Sequence, residues 1–289
     1  MTLPLPRGVR APDRAVWING ALVRGDDAVL SVFDRGARDG GAIFETLRVY
    51  GGRPFAWERH MERMVLSAAE LGFPVPPSPW QLRDAVGELL AMQNLTEAAV
   101  RITVTRGIPG GRPTRTGCWI EAEPITARLW AGTREASGSA TLSRLPFEPG
   151  VIGRHKTTSR LAWDLAREEA RAAGCDDALL ASPAGDVLEA AAANVFIVQP
   201  GGEVVTPPLS ANVLPGVTRA LVIGLCAELG LPVREAPLPL ETLRGAQEVF
   251  LTNSLQEVLP LARIGDRPVP ERDAGLRLLA AYRARVAAG

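Results

Sequence analysis

The chain has 289 residues, 46% hydrophobic and 22% charged, and its 32 basic and 32 acidic side chains cancel. This balance describes a globular protein with a sizeable core; it lacks the basic excess that nucleic acid requires, a polybasic cluster for a membrane surface, and any run near the ~20 apolar residues that span a bilayer. Three cysteines, Cys118, Cys175 and Cys226, with no metal-ligand spacing, and two histidines, His60 and His155, exclude a disulfide framework and a zinc or histidine metal site, and a reducing cytoplasm fits.

Residues 1–14 have no apolar core of signal-peptide length and are expected to be a flexible lead-in. Residues 15–23 predict a β-hairpin whose Asn19-Gly20 supplies the positive φ angles of a tight turn. Gly40-Gly41 breaks the chain before a strand over AIFETLRVY. A helix follows, on which Met61, Met64, Val65, Ala68 and Leu71 recur at helical spacing and Gly72 is placed to stop it. Ser78-Pro79 opens a second helix. Residues 100–105 alternate as a half-buried strand that pairs with residues 118–123. The loop between them, RGIPGGRPTRTG, carries Arg106, Arg112 and Arg115, and suits equally a solvated turn or a receiver for an anionic substrate.

Composition then shifts, which predicts a small N-terminal domain over 15–125, an interdomain loop over 126–136 and a larger C-terminal domain over 137–289. The second part alternates short strands and helices: a strand near 140–145, a helix ending at Gly174, two hairpins on DDALLASPAGDVLEA and ANVFIVQPGGEVVTPP, a helix opened by Leu214-Pro215-Gly216, the strand EVFLTNS and a last helix over about 270–287. The fold class is α+β, with two unequal lobes.

Among the 32 basic residues only one, Lys156, is a lysine. An arginine guanidinium stays protonated, whereas a lysine amine can lose its proton and form an imine. Lys156 precedes a helix that Thr158 or Ser159 could cap, and the positive end of that helix favours the neutral amine. Glu189 ends the strand DVLE at the border of an apolar run; it is either a solvated hairpin carboxylate or one held against a protonated heterocyclic nitrogen. Gly216-Val217-Thr218 combines a glycine that lets a ligand approach, unpaired helix amides and a hydroxyl, which makes a phosphate seat. Asn253-Ser254, at a strand end, adds donors from a second loop, and Arg63 can set a full charge opposite a phosphate. An imine-forming lysine, a carboxylate and two phosphate loops, in that order, are the parts of a pyridoxal phosphate site.

The motifs SVFDRG with FETLRVY, the H-x-x-R of His60 to Arg63, RITVTRG, HKT, VLEAAAANVF, LPGVTR and TNSLQEVLP occur in order. On these the chain resembles the class IV, fold type IV, pyridoxal-phosphate enzymes: branched-chain and D-amino acid aminotransferases and aminodeoxychorismate lyase. The resemblance implies a small α/β N-terminal domain and a larger pseudo-barrel domain that binds pyridoxal 5'-phosphate. It implies a homodimer, with a site at the domain interface that the partner completes. By the same resemblance Lys156 is the Schiff-base lysine, Glu189 the partner of the pyridine nitrogen, Arg63, Thr218 and the Val217 backbone hold the phosphate beside Gly216, and Asn253-Ser254 forms the second phosphate loop.

TNSLQEVLP, the paired alanines before Asn194 and the Gly-Gly-Arg loop look most like the lyase, which forms 4-aminobenzoate and pyruvate. Pro113, Ser159 and Asp39 depart from the family's usual residues. The alternative is an aminotransferase acting on a D-amino acid, a branched-chain amino acid or an (R)-amine with a 2-keto acid; a non-catalytic homodimer that binds the cofactor is a third reading. Either enzyme takes a small amino compound, and Arg48, Arg106 and Arg112 are the candidate anchors for its carboxylates.

Overall fold

The computed structural model of the protein describes residues 14–110, 117–125 and 137–289. Residues 1–13 of the lead-in, the stretch 126–136, Arg112, Pro113 and Arg115 lie outside the described residues. The described residues divide into two compact units, one formed by those up to Ile125 together with Lys156–Ser159, the other by the rest.

The first unit contains β1 (Ala15–Ile18), β2 (Ala21–Arg24), α1 (Arg35–Asp39), β3 (Ala42–Tyr50), β4 (Arg53–Pro54), α2 (Trp57–Glu70), α3 (Pro79–Gln93), β5 (Ala98–Thr105) and β6 (Cys118–Pro124). The strands form an antiparallel sheet in the order β2-β1-β6-β5-β3-β4. The β1–β2 turn is the expected one, with Asn19 at φ 50° and Gly20 at φ 98°. Alternate residues Ile43, Leu47 and Val49 of β3 and Val100, Ile102 and Val104 of β5 face one way, and pack with Met61, Met64 and Ala68 of α2 and Leu82, Val86 and Leu89 of α3. Ser78 and Gln81 close a reciprocal capping box on α3, so the predicted start is the observed one.

The second unit holds β7 (Gly138–Leu142), α4 (Leu161–Ala172), β8 (Asp177–Ala181), β9 (Val187–Ala190), β10 (Asn194–Val198), β11 (Val204–Thr206), α5 (Val217–Glu228), β12 (Val233–Glu235), α6 (Leu240–Gly245), β13 (Glu248–Asn253), β14 (Glu257–Ile264), β15 (Arg267–Pro268) and α7 (Asp273–Ala288). Its sheet runs β12-β11-β10-β13-β14-β7-β8-β9, with β15 on β14. Between β10 and β9 in that order stand four other strands, a separation of about 24 Å in a flat sheet. Yet a turn of three residues, Ala191 to Ala193, joins them, and it can reach only about 14 Å. The sheet therefore curls into the pseudo-barrel, around Leu179, Val187, Val195, Ile197, Leu251 and Leu261. Buried Glu248 accepts the Ala274 and Gly275 amides, both at 2.9 Å, so a strand carboxylate fills the N-terminal end of α7.

Two local expectations are corrected. Neither Thr158 nor Ser159 caps α4: its N-cap is Arg160, and both hydroxyls donate to the Gly40 carbonyl, at 3.0 and 3.1 Å. That carbonyl belongs to the residue that ends α1 in the left-handed conformation, so the two hydroxyls satisfy a turn rather than a helix start. The strand β14 has no counterpart among the sequence expectations because Pro260 interrupts its pattern; in the sheet Pro260 stands opposite Phe250.

Candidate active site

Lys156 is fixed through its backbone. The Phe44 amide donates to the Lys156 carbonyl at 2.8 Å, Thr158 N donates to Ala42 O at 2.9 Å, and Thr157 bridges to Ile43, so residues 156–158 run beside the start of β3. The side chain is half-buried, with Nζ 4.6 Å from the centre of the Phe44 ring. The guanidinium of Arg101, in β5, lies 3.7 Å from the centre of the same ring. Arg101 is a cation that sequence reasoning missed. The alternation of β5 marks it as facing away from the core, but only the pairing of Phe44 with Thr103 brings it near Lys156.

Glu189 is buried at 4% exposure, which removes the reading of a solvated hairpin carboxylate. Trp163 Nε1 donates to its Oε1 at 2.9 Å, and the Leu214 amide donates to its Oε2 at 3.1 Å. Both oxygens therefore face groups that can only donate, and Glu189 meets them as an acceptor. The turn after it is tied down by distant side chains: Arg160 Nη2 donates to Ala191 O at 2.7 Å and Asn253 Nδ2 to Ala192 O at 3.1 Å. Beneath that turn lies Asp177, whose carboxyl burial pushes up to about 6, although the Ala178 and Ala192 amides and the charges of Arg167 and Arg160 pull the other way.

Helix α5 starts at Val217 with Gly216 as its N-cap and no side chain capping it, which leaves its first amides for a ligand. Thr218 and Val217 are buried there. Glycine at 216 is also required from within: a Cβ would stand 2.0 Å from Asn194 Oδ1. Asn194 in turn donates to the Leu214 carbonyl at 2.9 Å, so the same residue, Leu214, serves Glu189 with its amide and Asn194 with its carbonyl. Asn253 organises the loop that follows β13. Its Oδ1 accepts the Leu255 and Gln256 amides at 2.9 and 2.7 Å, which shapes the turn carrying half-buried Ser254. Thr252, opposite Asn194 in the sheet, keeps a buried hydroxyl with no hydrogen-bond partner among the described residues.

Arg63 is held by a carboxylate: Nε to Glu45 Oε1 is 2.7 Å and Nη2 to Glu45 Oε2 is 2.6 Å, and His60 Nδ1 lies 2.7 Å from Oε2. Burial would raise Glu45, but the Arg63 charge and the bonds from His60 and Arg63 outweigh it and hold the carboxyl at about 2. Arg48 donates to Glu97 at 3.1 Å and stacks on Tyr50 at 4.7 Å. Arg106 donates to the carbonyls of Leu71 and Gly72, 2.6 and 3.3 Å, where α2 ends. In the second unit, an uncapped helix start, a hydroxyl-bearing loop and a buried acceptor for a cationic nitrogen fit a phosphorylated pyridine ring. Among the described residues no cluster of histidine, cysteine and carboxylate could hold a metal.

Residues 42–264 match the class IV amino-transferase family. The branched-chain-amino-acid aminotransferase of Escherichia coli (strain K12) is 31% identical over 277 residues, covering 90% of this chain and 88% of that protein. The D-alanine aminotransferase of Listeria monocytogenes (strain 10403S) is 29% identical over 259 residues, covering 86% and 87%. The crystal structure of a T.th. branched-chain amino acid aminotransferase with pyridoxamine 5'-phosphate is similar at a TM-score of 0.85 and 28% identity, over 96% of this chain and 95% of that one.

Proposed function

The chain belongs to the class IV aminotransferases, pyridoxal 5'-phosphate enzymes of fold type IV, and on that premise we propose that it moves an amino group between a branched-chain amino acid and a 2-keto acid. The observation that carries the reading is Glu189, a buried carboxylate held as an acceptor on both oxygens by N–H donors of its own unit. Such a group suits a protonated ring nitrogen.

When bound, the cofactor supplies a ring that takes up the negative charge left on the amino-acid carbon. Lys156 would hold the cofactor through its amine, and that amine would carry the proton to and from the substrate's α-carbon. Glu189 keeps the ring nitrogen protonated. The Val217 and Thr218 amides, the Thr218 hydroxyl and Ser254 receive the phosphate, and Arg63, oriented by Glu45, adds charge to it. Arg48, Arg106 and Arg112 stay the candidates for substrate carboxylates, and the working form is a homodimer.

The lyase reading, which the motifs favour, shares all of these parts and differs only in what leaves the substrate. Its support is weaker, because relatives matched over nearly the whole chain carry aminotransferase names. The test incubates holoenzyme with L-leucine, D-alanine or an (R)-amine plus 2-oxoglutarate or pyruvate, and separately with aminodeoxychorismate. Turnover of L-leucine that requires the keto acid is expected. Faster turnover of D-alanine would move the assignment to D-amino acids, and 4-aminobenzoate formed without an acceptor would overturn amino transfer.

A further inference from the structure

We propose that Trp163 is a positioning residue that sets how strongly Glu189 attracts the proton of the cofactor's ring nitrogen. The inference deepens the reading above and rests on it.

Trp163 lies on α4, seven residues after Lys156, and its ring is fixed on two sides. The Phe147 ring meets it edge-on, centroids 4.9 Å apart at 80°, and the Arg160 guanidinium lies 5.5 Å from its centre. Arg160 is itself anchored, through its 2.7 Å bond to the Ala191 carbonyl, to the turn that follows Glu189. So held, the indole can offer its N–H in one direction only, and that direction is Glu189 Oε1, at 2.9 Å.

An indole nitrogen donates and never accepts, so this bond cannot reverse when protons move. A cation near the ring draws electron density from it and strengthens the donor. The bond therefore stabilises negative charge on Glu189 and restrains the carboxylate from taking the proton it shares with the pyridine nitrogen. The Leu214 amide does the same for the other oxygen, but only proline would remove that donor, at the cost of the local backbone. Of these two donors Trp163 is the one that a side-chain substitution adjusts.

Without the indole N–H, Glu189 competes harder for the shared proton and the ring carries less positive charge. The Lys156 nitrogen, joined to the cofactor's aldehyde carbon, would then keep its proton to higher pH. In Trp163→Phe, which preserves an aromatic ring against Phe147, the visible absorption band of the holoenzyme should titrate about half a unit to one unit higher. Its dissociation constant for pyridoxal 5'-phosphate, read by fluorescence titration of the apoenzyme, should rise about fivefold to tenfold. Phe147→Leu loosens the packing that aims the indole but keeps the N–H, and should move the midpoint by less than Trp163→Phe does.

A Trp163→Phe enzyme that titrates like the wild type, or a Phe147→Leu enzyme that shows the same shift, overturns the proposal. If Trp163→Phe fails to fold, the indole ¹⁵N–H resonance of Trp163 in wild type and Glu189→Gln decides: a changed shift is expected, and an unmoved one refutes it. A wild type that takes up no pyridoxal 5'-phosphate would instead defeat the functional reading, and the indole resonance would still report on the hydrogen bond.

Discussion

The Thr105 hydroxyl donates to Asp34 Oδ2 at 2.8 Å and accepts the amides of Gly107 and Gly117 at 3.0 and 2.9 Å. One hydroxyl has a single proton and two lone pairs, and here all three are used. Two separated motifs, SVFDRG and RITVTRG, meet at this contact. Gly36 and Gly117 are glycines because a Cβ would lie 2.4 Å from Thr105 Cγ2 and 2.7 Å from Asp34 Oδ2 respectively. Thr105→Val takes the hydroxyl partner from one oxygen of buried Asp34 and from two amides, and should cost about 2 to 3 kcal/mol in urea unfolding. Thr105→Ser should recover most of it; equal losses in the two variants would refute the hydrogen-bond account.

Glu45 makes the fold acid-sensitive in a defined window. Its folded value, about 2, lies below its ordinary 4.5, so its contribution is complete above pH 4.5 and is lost as pH falls through 2. The displacement corresponds to about 3 kcal/mol. Glu45→Gln should flatten the unfolding free energy over that window and weaken phosphate binding, because Arg63 loses the charge that aims it. An unchanged slope below pH 4.5 would dismiss the ion pair as its source.

Asp177 acts with the opposite sign. Its folded value, about 6, lies above its ordinary 3.8, so the folded chain holds a proton that the unfolded chain releases, and stability falls as pH rises from about 4 to 6. The loss amounts to about 3 kcal/mol and persists above pH 6. Asp177→Asn should remove that slope, which equilibrium unfolding at pH 4, 5, 6 and 7 measures directly. Together the two groups place maximum stability near pH 4 to 5 as far as they alone determine it.

Gly216→Ala should disturb the proposed cofactor site from behind. The new Cβ displaces the Asn194 carboxamide and strains its bond to the Leu214 carbonyl, whose residue also donates to Glu189. A loss of about 1 to 3 kcal/mol of stability is expected, together with weaker binding of pyridoxal 5'-phosphate by titration. Normal affinity at reduced stability would show that the shift stops at Asn194.

Lys156→Ala removes the chain's sole lysine. The backbone bonds around residue 156 remain, so the apoenzyme should unfold like the wild type. The visible band with pyridoxal 5'-phosphate should vanish and turnover should fall at least about a thousandfold. A retained band would sink the assignment of this amine.

Local pattern made much of this protein legible. Asn19-Gly20 fixes the first hairpin because the dipeptide tolerates the φ angles it needs, and Ser78 with Gln81 fixes a helix start because both capping partners lie within one turn. The count of lysines alone singles out Lys156. The motifs could not separate lyase from aminotransferase, since the two share the lysine, the carboxylate and the phosphate loops.

The choice of partners, by contrast, belongs to the tertiary structure. Arg63 turns to Glu45, 18 residues away, and Trp163 to Glu189, 26 residues away. The curl of the second sheet follows from strand order, which is set by pairings between distant segments. Short-range spacing encodes helices, turns and caps because their hydrogen bonds close within a few residues. Which charges and donors meet depends on how folded elements pack, so pairings such as Arg63 with Glu45 and Trp163 with Glu189 emerge only when the whole chain is in place.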